Sequence, residues 1–159
     1  IVDKIGAGDI CGTGDIPLTM AQSLRLSGAV IVCTPQKVAQ DDARRAARMF
    51  EQLGVEVLGV VENMSYFIGD DGKEYDIFGR GGAEQMAQAM GLPFLGSVPI
   101  NTALRHTSAR GEPLRNFAPE TAGGDALPRA LEQLVTNLDG QLSLAALRTG
   151  SSRPTLTIS

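Results

Sequence analysis

The stretch "GAVIVCTPQKVAQDDARRAARMFEQLGVEVLGVV", Gly28 to Val61, decides the fold class. It opens on Ala29-Val-Ile-Val-Cys33, a continuous apolar run closed by Thr34-Pro35, and it ends on a second run, Val55-Glu-Val-Leu-Gly-Val-Val61. Unbroken runs rich in β-branched residues are the pattern of strands buried on both faces of a sheet. Between them Val38, Ala43, Ala46, Ala47, Phe50 and Leu53 recur at three- and four-residue spacing, and Gly54 supplies the stop. Asp41 and Arg45 add an i,i+4 pair on the polar face. Strand, helix, strand at this spacing is a βαβ unit.

The same alternation extends in both directions. Ile1-Val2 reads as the tail of a strand and Phe94-Leu-Gly-Ser-Val98 as a short one. The helix before it, "AEQMAQAMG", is entered through Gly81-Gly82 and stopped at Gly91, with Pro93 beyond; "ALPRALEQLVTNL", Ala126 to Leu138, is another helix. The fold class expected is α/β, a mainly parallel sheet with helices on both faces. Ligands of such sheets bind off the carboxyl ends of the strands, which directs attention to the loops after Val2, Cys33, Val61 and Val98. One domain is expected over residues 1–139. Residues 140–159 are set apart as a C-terminal extension, of which 140–147 could continue a helix and the part from about 150 reads as a mobile tail.

Composition narrows the function classes. The chain has 159 residues, 43% of them hydrophobic, with no Trp, so its core is built from aliphatic side chains and Met. A net charge of −4 argues against a nucleic-acid surface. The apolar run Gly28 to Cys33 is far short of a bilayer span, and no secretion signal is visible, so a cytoplasmic protein without membrane attachment is expected. Cys11 and Cys33 form neither a disulfide framework nor a pair at metal-ligand spacing. His106 is a lone histidine on an expected helix.

The opening "IVDKIGAGDICGTGD" is the candidate for phosphate chemistry. Gly8, Gly12 and Gly14 fit a GxxxGxG dinucleotide fingerprint. Against a dehydrogenase, the strand ending at Cys33-Thr34 offers no acid for a ribose hydroxyl. Neither tyrosine has a lysine four residues on either, since Tyr66 meets Asp70 and Tyr75 meets Gly79.

A second likeness covers more of the chain. The strings GTGD, TPQ, ENMSYF and IFGRGG, in that order between Gly12 and about Arg115, resemble the carboxyl-terminal half of the Mrp/ApbC family. These are P-loop ATPases of the MinD/ParA type that carry iron–sulphur clusters. The resemblance implies a partial P-loop NTPase domain, with ATP and Mg²⁺ as cofactors and ATP hydrolysis coupled to [4Fe–4S] transfer. It places Asp3 at the Walker B position, where a carboxylate supports the water shell of Mg²⁺. Gly12, Thr13, Gly14 and Asp15 fall on the switch loop that senses the γ-phosphate. Asn63 matches the asparagine that reads adenine; a carboxamide offers a donor and an acceptor together, which suits a base edge. Pro99, with Ile100, would wall the same base. A homodimer is implied, with apo iron–sulphur proteins as partners.

The chain departs from that pattern in three places. No GKGGVGK string occurs in its 159 residues, so the phosphate cradle and its lysine are not among them, and the chain reads as the second half of a protein. "KIGAGDIC", Lys4 to Cys11, stands where the family has a shorter Leu-Pro-Pro. After ENMSYF the family carries Cys-x-x-Cys, whereas this chain has Ile68-Gly69-Asp70-Asp71-Gly72, a turn with hard oxygen donors in place of thiolates. Three readings stand at this level: an iron–sulphur cluster carrier ATPase, impaired as given; a non-catalytic fragment retaining a dimerisation or partner-binding surface; and a MinD/ParA-like positioning ATPase. The third lacks the terminal amphipathic basic helix that membrane attachment requires.

Overall fold

A computed structural model describes residues 26–69, 73–101, 109–119 and 124–149. Within these, the chain forms β1 (Ala29–Cys33), α1 (Lys37–Gln52), β2 (Val57–Ile68), β3 (Glu74–Tyr75), α2 (Gly82–Met90) and β4 (Phe94–Ile100). A 3₁₀ turn (Pro113–Phe117) and the long helix α3 (Ala126–Thr149) follow.

β2 is the central strand. β1 runs parallel to it, with Ile31 opposite Val60, Val32 opposite Val61 and Cys33 opposite Glu62. β4 runs parallel along the other edge, pairing Gly96 with Val61, Ser97 with Glu62 and Val98 with Asn63. Past Asn63 the pairing with β4 slips and resumes at Phe67 opposite Ile100, and the strand turns back as an antiparallel arm, with Phe67 opposite Tyr75 and Ile68 opposite Glu74. The α/β reading with a mainly parallel sheet therefore holds.

Helices cover both faces. Ile31, Cys33 and Val60 pack with Ala43 and Ala47 of α1 and with Ala83, Met86 and Ala87 of α2. The alanines let the two helices lie close to the sheet, and fully buried Met86 fills the space between. On the opposite face Val61, Leu95 and Val98 pack with Leu127 of α3, and Leu58 packs with Leu142 and Ala145. Helix α3 thus continues through residues 140–149 and uses them against the sheet. Two polar ties fix it: Asn137 Nδ2 donates to the Leu95 carbonyl at 2.8 Å, and Arg148 pairs with Glu56 at 2.6 Å. The second is solvent-exposed and contributes about 0–1 kcal/mol.

Two expectations are corrected. β1 is buried on one face only: Ile31 and Cys33 are inside, while Val30 and Val32 are 37% and 54% exposed. The cause is coverage, since α3 packs over β4 and β2. On α1 the Asp41–Arg45 pair gives way to i,i+3 pairs, Arg44 with Asp41 at 3.0 Å and Arg45 with Asp42.

β2 carries a bulge near its start. Ala29 is opposite Val57 but Val30 is opposite Gly59, so Leu58 is the extra residue. Leu58 accordingly faces α3 while Val60, two residues on, faces α1 and α2. Gly59 has φ +155°, and a Cβ there would sit 2.6 Å from Leu95 Cγ and 2.9 Å from the Pro93 carbonyl oxygen. Among the described residues no helix is long and apolar enough to cross a membrane.

Candidate functional site

Glu62, midway along β2 and in register with the last residue of β1, joins the sheet to the amino terminus of α2. Its side chain is fully buried. Oε1 accepts from the Ser65 hydroxyl and from the Gly81 N–H at 2.9 Å, and Oε2 accepts from the Ala83 N–H at 2.8 Å. Helix α2 has no side-chain cap of its own, because Gly81 occupies the capping position with φ 78°. The first N–H groups of any helix lack intrahelical partners and attract negative charge. Here a strand residue nineteen positions upstream of Gly81 fills that role.

Gly82 brings the helix start against the loop after β1. A Cβ at this position would lie 2.1 Å from Gln40 Nε2 and 2.7 Å from the Pro35 carbonyl oxygen, which itself accepts from Gln40 Nε2 at 2.7 Å. Gly82→Ala therefore has to displace Gln40 and break that bond. We expect it to lower stability by about 2 kcal/mol, the scale of overpacking plus one lost hydrogen bond. Chemical denaturation of the two proteins measures it, and unchanged stability would contradict the contact.

Cys33 lies in register beside Glu62. Burial, and secondly the negative charge of Glu62, push its thiol up to about 11. A thiol rather than a thiolate at neutral pH neither attacks electrophiles nor ligates soft metals readily, so Cys33 is a packing residue.

Asn63 is the next residue along β2. Its Oδ1 accepts from the Met64 N–H at 3.0 Å, and Met64 has φ 56°, the left-handed region that non-glycine residues seldom adopt. Asn63 is opposite Val98, and Pro99, which is buried, follows Val98 directly. The two residues expected around a base are therefore neighbours across β2 and β4. Both sit inside strands rather than beyond them. The strands run farther than their apolar runs because Ser65–Ile68 continue β2 into the arm and Ile100 pairs with Phe67.

The arm closes through Gly69 N–H donating to the Lys73 carbonyl at 3.0 Å. Arg80 stacks 4.7 Å from the centroid of the Tyr66 ring and forms an ion pair with Glu74. Burial, then the Glu74 charge, raise the Tyr66 phenol against the opposing pull of Arg80. Met64, Phe67, Tyr75, Ile77 and Phe78 are exposed apolar side chains on or beside this arm.

Asp3, Gly12, Thr13, Gly14 and Asp15 lie outside the described residues, as do Cys11 and His106. Among the described residues no group of three or more His, Cys, Asp or Glu is placed to hold a metal ion. Sequence reasoning missed Glu62 and the arm. The arm had a signal: alternating "SYFI" and "KEY" flank the turn-forming "GDDG". Glu62 had a weaker one, an acid set directly at the end of the apolar run that closes at Val61.

Comparison with known proteins follows the same outline. Residues 10–136 match the profile of a ParA-type family described as NUBPL iron-transfer P-loop NTPase. An "iron-sulfur cluster carrier protein" of Synechocystis is 47% identical over 138 residues, 86% of this chain and 38% of that protein. The "iron-sulfur cluster transfer protein NUBPL" of Dictyostelium discoideum is 49% identical over 111 residues, covering 69% of this chain and 34% of that protein. A nucleotide-binding protein from Archaeoglobus fulgidus, solved in complex with ADP, superposes with a TM-score of 0.58 at 37% identity, covering 68% of this chain and 44% of that one. The chain thus spans between about a third and just under half of the length of these relatives.

Proposed function

The chain belongs to the ParA-type family of NUBPL iron-transfer P-loop NTPases, and from that premise we propose that it supplies the adenine-binding side of an ATP-dependent iron–sulphur cluster carrier. The observation that carries the reading is the place of Asn63, at the kink of β2 and in register with Val98, the residue before Pro99 on the parallel neighbour β4. The Met64 N–H takes one lone pair of Asn63 Oδ1. The second lone pair and the amide N–H₂ suit the donor–acceptor edge of adenine. The relative solved with ADP and the relatives named as cluster carriers support the same assignment.

In this proposal Asp3 supports Mg²⁺, and Gly12, Thr13, Gly14 and Asp15 respond to the γ-phosphate. When bound, Mg²⁺ would neutralise charge on the phosphates. The cluster is cargo rather than a resident group. The residues after ENMSYF do not fit it, because the segment from Ile68 to Lys73 has no cysteine and Cys33 is buried with a raised thiol. A second reading rests on the exposed apolar side chains of the arm. They favour a partner-binding surface, for a second copy of the chain or for an apo iron–sulphur protein, that operates whether or not ATP is hydrolysed.

The test of the first reading is base selectivity. Asn63→Ala is expected to weaken ADP binding about tenfold, since one or two hydrogen bonds to a base edge contribute roughly 1–2 kcal/mol. GDP binding should be unchanged. Calorimetric titration of the full-length protein with both nucleotides decides it, and equal losses for the two would remove Asn63 from the base site.

A further inference from the structure

We infer that Glu62 is a positioning residue for base recognition, holding Asn63 in place by fastening the kink of β2 to the amino terminus of α2; the inference rests on the adenine reading of Asn63. Up to Glu62 the strand is held on both edges, by β1 and by β4, and Asn63 is paired with β4 alone. Immediately afterwards the regular ladder stops. Met64 turns into the left-handed region, and the pairing with β4 slips between Asn63 and Phe67. Asn63 therefore sits at the last regular position of the strand, where backbone pairing constrains it from one side only.

The missing constraint comes from Glu62. Its Oε1 accepts from Ser65 Oγ–H, a bond that spans Asn63 and Met64 and brackets the kink. The same oxygen accepts from Gly81 N–H and the other from Ala83 N–H, so the bracket is anchored to a helix rather than to a loop. Three donors converge on one carboxylate that is fully buried. An acceptor-only group satisfies all three, whereas a carboxamide would turn its N–H₂ toward at least one of them. Glu62 faces α2 while Asn63, in register with Val98 of the opposite core, faces α3. The carboxylate thus acts on Asn63 through the backbone, without touching the base.

The role predicts a loss of discrimination rather than a general loss of binding. A purely structural lesion lowers the competent fraction for every nucleotide alike and leaves the ratio of ADP to GDP affinities unmoved. Glu62→Gln is expected to reduce that ratio about tenfold, because small misplacements of a recognition group have effects of this order or larger. Ser65→Ala, which removes only the bracketing hydroxyl, is expected to reduce it about threefold. It serves as the independent variant if Glu62→Gln does not fold. Titrations of full-length wild type, both variants and Asn63→Ala with ADP and GDP separate the possibilities. If Asn63→Ala loses the preference and the folded Glu62 and Ser65 variants keep it, the positioning role is overturned and the adenine reading stands. If the wild type shows no preference for ADP, the adenine reading itself fails and this inference with it.

Discussion

Glu62→Ala should lower the unfolding free energy by about 4 kcal/mol. The substitution leaves Gly81 N–H, Ala83 N–H and the Ser65 hydroxyl facing a space that held their acceptor. Each buried donor left unsatisfied costs roughly 1–3 kcal/mol, and loss of a helix cap alone costs about 1 kcal/mol. Entry of water into the cavity offsets part of the sum, which is why the expected figure lies near the lower end of it. Against a total stability of about 5–15 kcal/mol the change is severe. Urea denaturation gives the magnitude, and hydrogen exchange gives the location: amides of Gly82–Met90 should lose protection before those of α3. A change below about 1 kcal/mol would mean that the three bonds do not hold the helix.

The second large effect is a loss of stability in alkali. The Cys33 thiol is raised from 9.0 to about 11, first by burial and then by the charge of Glu62. Between these values the unfolded chain releases the proton and the folded chain retains it. The folded state therefore binds more protons, and stability falls as pH rises through this window. The total loss across the window is on the order of 2–3 kcal/mol. Below pH 9 the group contributes no pH dependence. Tyr66, also raised, acts with the same sign at higher pH. Comparing denaturation at pH 8 and pH 10.5 for wild type and Cys33→Ala isolates the thiol, because the tyrosine component is common to both. An identical alkaline loss in the two proteins would show that Cys33 does not titrate as its surroundings require.

The parallel sheet was legible because Ala29–Cys33 and the apolar run through Val61 are uninterrupted and α1 between them has clear periodicity. The same cue overstated β1, since an apolar run reports that a strand avoids water, not how many helices reach it. The strand ends were illegible for a related reason. "NMSYF" has no continuous apolar character, and its extended backbone depends on pairing with β3 and β4, which are contacts made at a distance. Asn63 and Pro99 were expected through family likeness alone, and the register sets Asn63 opposite Val98, the residue before Pro99. Glu62 could not be found by periodicity at all. Two of its three partners are backbone N–H groups about twenty residues away, and backbone groups leave no mark in a sequence.

The bulge at Leu58 sets the phase of the central strand. Side chains alternate with period two, so an extra residue inverts everything downstream of it. Counted without interruption from Leu58, Glu62 would share the α3 side and Asn63 would point into the space between α1 and α2. With the bulge, the carboxylate meets the helix it caps and the carboxamide emerges on the other side. Deleting Leu58 would leave Val57 opposite Ala29 and Gly59 opposite Val30 in one unbroken register, so the acid and the amide would keep their faces. What the deletion would remove is the contact of Leu58 with Leu142 and Ala145 of α3.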